Sequence, residues 1–198
     1  MLITPAIDDA EGFAPTLTDV LDAADVAAVI LRLAPGDERS LINRVKQLAP
    51  GCQQHDAALL LEDHVALVAR SGADGAHLTG IDAFNAALGT LKPERIAGCG
   101  GLITRHDAMA AAEQAADYVM FGEPDTHGTR PAFASIEERV AWWAEVFEAP
   151  CVAYAAALEE VAPLVAAGAD FVVLGEWAWA FDTIRAAAAD LHLPETAP

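Results

Sequence analysis

The chain has 198 residues, 54% of them hydrophobic, and sets 30 acidic against 11 basic side chains for a formal net charge of −19. That length suits one domain with a sizeable core, while the negative surplus, unrelieved by any Lys/Arg cluster, excludes nucleic acid as a partner, and no apolar run reaches the roughly 18 residues of a membrane span. Cys52, Cys99 and Cys151 have no CxxC spacing, which with the absence of a signal-peptide pattern at 1–6 predicts reduced thiols in a cytoplasmic protein.

In chain order, short apolar runs alternate with Ala/Leu/Glu-rich stretches. Strand and helix are predicted in turn at 2–5 and 17–24, 27–31 and 38–48, 57–61 and 65–71, and 76–78 and 83–91. The alternation continues at 95–99 and 106–115, 118–121 and 136–147, 151–154 and 158–167, and 171–174 and 179–191. Four of the strands are entered through similar segments: Ala23-Ala24-Asp25, Gly72-Ala73-Asp74, Ala115-Ala116-Asp117 and Gly168-Ala169-Asp170, at intervals of 43 to 53 residues. A small residue ends each helix where the chain reverses, and a wholly apolar run fits a parallel strand buried on both faces. Eight such units predict a single (β/α)8 TIM barrel over 1–198. An open doubly wound sheet is the competitor, disfavoured because no GxGxxG follows the first strand and the repeat stays regular to the end. The two lysines, Lys46 and Lys92, fall in helix or loop, so Schiff-base chemistry at a strand end is not expected.

Working residues of a barrel sit just beyond its strands. That rule collects Arg32 after strand 2, Glu62, Asp63 and His64 after strand 3, and Asp82 beyond strand 4. Gly101 closes the glycine turn after strand 5, Glu123, Asp125, His127, Thr129 and Arg130 follow strand 6, and Glu176 and Trp177 follow strand 8. His77 reads as a packed strand residue, His64 and His127 as loop residues, and Trp177, Trp179 and Phe181 as packing against the rim. The segment 123–135, rich in Gly, Pro and Thr, is the candidate cover for the mouth. Trp142-Trp143 on a helix offers one ring to the core and the other to a partner subunit, which leaves a homo-oligomer open.

These residues resemble the thiamine phosphate synthase/TenI family over nearly the whole chain. Leu2-Ile3-Thr4-Pro5 is similar to its opening strand, Gly72-Ala73-Asp74-Gly75-Ala76-His77-Leu78 with Asp82 to its GADGxHLxxxD segment, and Ala116-Asp117-Tyr118-Val119-Met120-Phe121-Gly122 to its ADYVxxGP strand. The resemblance implies thiamine biosynthesis: a transferase joining hydroxymethylpyrimidine pyrophosphate to thiazole phosphate with the help of magnesium. It implies Asp63 and Asp82 as Mg2+ ligands, Arg32 and Arg130 as catalytic cations on the pyrophosphate, and Gly101 and Thr129 with them in substrate binding. The match is uneven, as in a divergent paralogue. Ile30 and Ala34 stand where the family's Gln-x-Arg-x-Lys strand has glutamine and lysine, and Ala153-Tyr154-Ala155-Ala156-Ala157 replaces a Gly-Ile-Gly-Gly type turn. Alanines resist the φ > 0 and close approach of such a turn, and Glu176 puts a carboxylate where a phosphate should settle. The histidine of the TenI tautomerase is missing from Gly101-Leu102-Ile103-Thr104. Two other readings stay open: a divergent metal-dependent barrel enzyme acting on an unphosphorylated or cationic small molecule, and a non-catalytic ligand-binding paralogue.

Overall fold

The computed structural model describes residues 1–125 and 127–190, without the side chains of Phe181 and Asp190. Eight parallel strands close on themselves in the order β1 to β8. They are β1 (Leu2–Ile3), β2 (Ala28–Leu31), β3 (Ala58–Glu62), β4 (Gly75–Thr79), β5 (Ile96–Gly100), β6 (Tyr118–Phe121), β7 (Cys151–Ala155) and β8 (Phe171–Leu174). The helices are α1 (Ala10–Ala23), α2 (Glu38–Gln54), α3 (Val65–Ser71), α4 (Ile81–Leu91), α5 (Arg105–Glu113), α6 (Phe133–Val146), α7 (Val161–Ala166) and α8 (Phe181–Asp190). The chain is a TIM barrel, as the alternation predicts.

Two apolar layers hold it. Ile3, Ala28, Ile30, Leu60, Tyr118, Met120, Val152, Tyr154 and Val173 fill the barrel, and a larger shell packs between sheet and helices. Trp143 is fully buried in that shell, stacks on Phe147 with ring centroids 4.2 Å apart, and donates Nε1–H to the Ala149 carbonyl at 2.7 Å. Arg105 lies over the neighbouring Trp142 ring, 4.5 Å from its centroid.

The aspartate repeat has a mechanical reason. Asp74 accepts the Leu59 N–H on Oδ2 at 2.8 Å while its own N–H donates to the Leu59 carbonyl at 2.8 Å. Asp117 closes the same two-bond ring with Ala97, and Asp170 with Cys151. These three aspartates, ahead of β4, β6 and β8, thus tie off the beginnings of β3, β5 and β7, satisfying backbone groups at the foot of the barrel. Asp117 also pairs with Lys92 Nζ at 2.6 Å, so that lysine serves the scaffold.

Several helix boundaries differ from expectation. Helix α1 begins at Ala10, well before 17, because Asp9 caps it by accepting the Gly12 N–H, and it runs through Pro15. Helix α2 continues past 48 through Pro50 to Gln54, its apolar face (Leu41, Ile42, Val45, Leu48, Ala49, Cys52) outweighing the proline. The stretch 158–167 is a 3₁₀ turn followed by the short α7, and the last residue expected in α8 lies outside the described residues.

The barrel tolerates little change where its strands run close. A Cβ built on Gly98 would come 2.0 Å from Cζ of Tyr118. We expect Gly98→Ala to cost about 1–3 kcal/mol, as overpacked cores do, read as a lower urea midpoint; a midpoint equal to wild type would show that the Tyr118 ring is free to move.

Candidate active site

The C-terminal mouth is lined by side chains that the inward-facing register of the strands delivers. Arg32 leaves the end of β2, its backbone N–H held by Thr4 Oγ1 at 3.0 Å. Its guanidinium spans two carboxylates: Nε donates to Glu62 Oε1 at 2.8 Å and a terminal nitrogen to Glu176 Oε1 at 3.1 Å. Burial alone lowers the pKa of Arg32, but the hydrogen bond and charge of Glu62, reinforced by Glu176, raise it above the usual arginine value. Arg32 is therefore a permanent cation, and Glu176 serves it as a counter-ion.

Asp63 follows β3 in a left-handed conformation (φ 54), one that aspartate tolerates better than most residues. Its Oδ1 accepts the Thr79 N–H from the end of β4 at 2.9 Å. Three residues beyond Thr79, Asp82 stands exposed in the first turn of α4. Gly80 and Gly101 meet beside this corner: the Gly80 N–H donates to the Gly100 carbonyl, and a Cβ on Gly101 (φ 61) would lie 2.8 Å from the Thr79 methyl. The fold thus brings Asp63, Asp82 and Gly101 to one side of the mouth, with Arg32 reaching it through Glu62. His64 is fixed at the start of α3, its Nδ1 2.6 Å from the Glu62 carbonyl oxygen. Among the described residues no group of three or more His, Cys, Asp or Glu side chains forms a metal cage.

Arg130 is placed differently. One terminal nitrogen contacts both oxygens of Glu160 at 2.9 Å, the other donates to the Tyr154 carbonyl at 3.2 Å, and Nε donates to the Gly122 carbonyl at 3.0 Å. It ties the segment after β6 to the end of β7 and reaches a ligand only by giving up Glu160. Thr129 is exposed, and its backbone N–H is taken by Asp125 Oδ1. That carboxylate also accepts the His127 N–H, and these backbone hydrogen bonds hold the Asp125 pKa below the usual carboxylate value.

The end of β7 shows what the alanines do. The Ala156 N–H donates to Glu160 Oε2 at 2.8 Å, and the Ala155 carbonyl accepts Trp177 Nε1–H at 2.9 Å. Glu160 thus supplies from within the chain the negative charge that the Ala156 N–H and Arg130 face. Trp179 Nε1–H donates to the Ile3 carbonyl at 2.7 Å, and its ring packs on Phe13; both tryptophans brace the rim, as expected, while the Phe181 ring lies outside the described side chains.

On the opposite side, His77 is buried between two partners. Its Nδ1 lies 2.9 Å from the Tyr118 hydroxyl, and Nε2 lies 3.2 Å from Glu123 Oε2. Burial opposes protonation of His77, but the charge and hydrogen bond of Glu123, with Glu62 and Asp63 behind them, hold its pKa above the usual histidine value. The sequence reading of His77 as a packed residue holds, and the packing is polar. Cys52, Cys99 and Cys151 are free thiols whose pKa values burial pushes to about 12, which leaves them inert. Glu160, Tyr118 and Tyr154 escaped the sequence reading as site residues. Strand alternation through Tyr118-Val119-Met120 would have turned Tyr118 inward; Glu160 gave no signal, since its partner comes from another loop.

The profile of the thiamine monophosphate synthase family matches residues 1–177. A thiamine-phosphate synthase of Rhodospirillum centenum is 41% identical over 181 residues, covering 90% of this chain and 87% of that protein. One from Hyphomonas neptunium is 34% identical over 198 residues, with 95% and 88% covered. Among solved structures, the thiamine phosphate pyrophosphorylase of Pyrococcus furiosus superposes with a TM-score of 0.73 at 19% identity, over 96% of this chain and 91% of that one, a likeness of fold.

Proposed function

The chain belongs to the thiamine monophosphate synthase family, and from that membership we propose that it is a synthase-type transferase, joining hydroxymethylpyrimidine pyrophosphate to thiazole phosphate. The observation that supports the proposal is Arg32, paired with Glu62 at the mouth, together with Asp63, which accepts the Thr79 N–H three residues ahead of Asp82. In the reaction the bond between the pyrimidine methylene and the pyrophosphate oxygen breaks, its electron pair leaving with pyrophosphate. The thiazole nitrogen lone pair then forms the new C–N bond. No proton has to move, so the task of the protein is to hold charges and exclude water.

Two exposed carboxylates with hard oxygen donors fit magnesium, which commonly takes one or two protein carboxylates and completes its shell with water and substrate phosphate. Asp63 and Asp82 would hold it, and when bound it supplies positive charge for the departing pyrophosphate. Arg32 supplies a second positive charge, turning from Glu176 toward the phosphates. Arg130 and Thr129 frame the other side of the mouth, with Arg130 positioning the ends of β6 and β7, and Gly101 lets a ligand approach the backbone. The overall acidity fits a protein of the cytoplasm.

Two measurements test this reading. Expression of the gene in a cell lacking its own synthase should restore growth without thiamine; failure at confirmed expression would count against the activity. In the purified protein, Asp63→Asn and Asp82→Asn should each raise the magnesium concentration for half-maximal turnover by at least about tenfold, the scale of losing one contact worth about 1.4 kcal/mol. An unchanged requirement in both variants would remove the metal assignment.

A further inference from the structure

The inner end of the mouth holds a polar atom with no partner among the described residues. Glu123 directly follows Gly122 at the end of β6, and its side chain is only 9% exposed. Oε2 meets His77 Nε2, while Oε1, fully buried, has no hydrogen-bond partner among the described residues. Leaving a buried acceptor unmatched is unfavourable, and more so when it is charged.

The surroundings are shaped to keep the carboxylate there. It lies over the Gly100 backbone, where a Cβ would come 2.2 Å from Oε1, so a side chain at 100 would expel it. Behind it His77 is fixed by the Tyr118 hydroxyl, and the two rings lie 5.8 Å apart and nearly parallel. Tyr118 in turn fills the space that Gly98 leaves open. Two glycines, a buried tyrosine and a buried histidine thus hold one carboxylate with an oxygen to spare. Such an oxygen accepts N–H or O–H donors and repels phosphate, so it complements the Arg32 side of the mouth and does not duplicate it.

We infer that Glu123 anchors the pyrimidine ring by accepting a hydrogen bond from its exocyclic amine on Oε1, an assignment that rests on the synthase reading. The amine releases electron density into the ring and so stabilises the positive charge that appears at the methylene as pyrophosphate departs. An N–H donated to a carboxylate makes that nitrogen a stronger electron donor, and the attraction grows as the ring becomes cationic. The interaction is therefore stronger in the transition state than in the ground state. Glu123 neither gains nor loses a proton.

The test pairs a near-isosteric variant with a substrate analogue. Glu123→Gln can keep an acceptor toward His77 but turns an NH2 group toward the ligand amine, opposing donor to donor. It should lower kcat/KM for the aminopyrimidine pyrophosphate by about 10²-fold, the scale of removing one preorganised group that stabilises charge, and leave KM for thiazole phosphate within about threefold. Calorimetry with the unreactive pyrimidine alcohol separates recognition from chemistry. Wild type should bind the amine at least tenfold more tightly than the analogue carrying hydrogen in its place, and Glu123→Gln should lose that discrimination while binding the analogue as wild type does. Equal losses for amine and analogue, or no loss, would overturn the assignment. Should Glu123→Gln prove unstable, Glu123→Asp reads the same discrimination, because it withdraws the carboxylate by one methylene. A wild-type protein that forms no product defeats the synthase reading itself, whereas a wild type that turns over with Glu123→Gln unimpaired defeats only this inference.

Discussion

Arg32→Met is expected to lower kcat/KM by about 10²- to 10³-fold with the fold intact, the loss typical of removing one group aimed at transition-state charge. The expectation follows from the local charge. Arg32 is the cation between Glu62 and Glu176, and without it two carboxylates would confront a pyrophosphate. Methionine keeps much of the aliphatic stem and so isolates the charge. Arg32→Lys should fall between wild type and Arg32→Met, since a lysine keeps the charge but cannot form the fork that Nε and a terminal nitrogen make here. Steady-state kinetics with the pyrophosphate substrate varied would decide; an Arg32→Met enzyme as fast as wild type would show that the pyrophosphate lies elsewhere.

The second large effect concerns stability. Arg130→Met should cost about 3–5 kcal/mol, the range for breaking one side of a largely buried ion pair, because both Arg130 and Glu160 are less than one-fifth exposed and their bond joins the segment after β6 to the end of β7. Glu160→Gln should cost less, since the amide oxygen can still accept the Ala156 N–H and leaves no unpaired anion behind. Removing the carboxylate altogether has a different consequence. Glu160→Ala exposes the Ala156 N–H and Arg130 to solvent anions, and inorganic phosphate should then raise its Tm more than that of wild type. Urea unfolding of the two single variants and a phosphate titration of Tm read these effects. Equal stability of Arg130→Met and wild type would show the pair to be incidental.

That strut marks where sequence reasoning reached its limit. The barrel was legible because its cause is local and repeated: apolar runs, small residues at the turns, and aspartates that tie off neighbouring strands at Asp74, Asp117 and Asp170. The identity of the mouth residues was legible too, since position just beyond a strand follows from the same alternation. Pairings between loops were not. Arg130 reads in sequence as a free cation near a threonine, yet it is bound to Glu160, 30 residues away. Glu176 reads as a carboxylate standing where phosphate belongs, yet it braces Arg32 from 144 residues away. Helix starts and ends strayed for the opposite reason. Pro15 and Pro50 are strong local stop signals that tertiary packing overrides.

Together these pairings describe a mouth with two unlike sides. On the proposed reading, Asp63, Asp82 and Arg32 would serve a magnesium-assisted departure of pyrophosphate, whereas the end of β7 satisfies its own backbone with Glu160. The family to which the chain belongs favours synthesis over a silent or unrelated role, and the carboxylates at 123 and 160 set the terms on which it would proceed.

The most direct test is a coupled assay of the purified protein with both precursors and magnesium, following thiamine phosphate and pyrophosphate together. The account predicts the two products in equal amounts, dependent on magnesium and lost in Arg32→Met. No thiamine phosphate at high enzyme concentration, from protein shown to be folded, would contradict it.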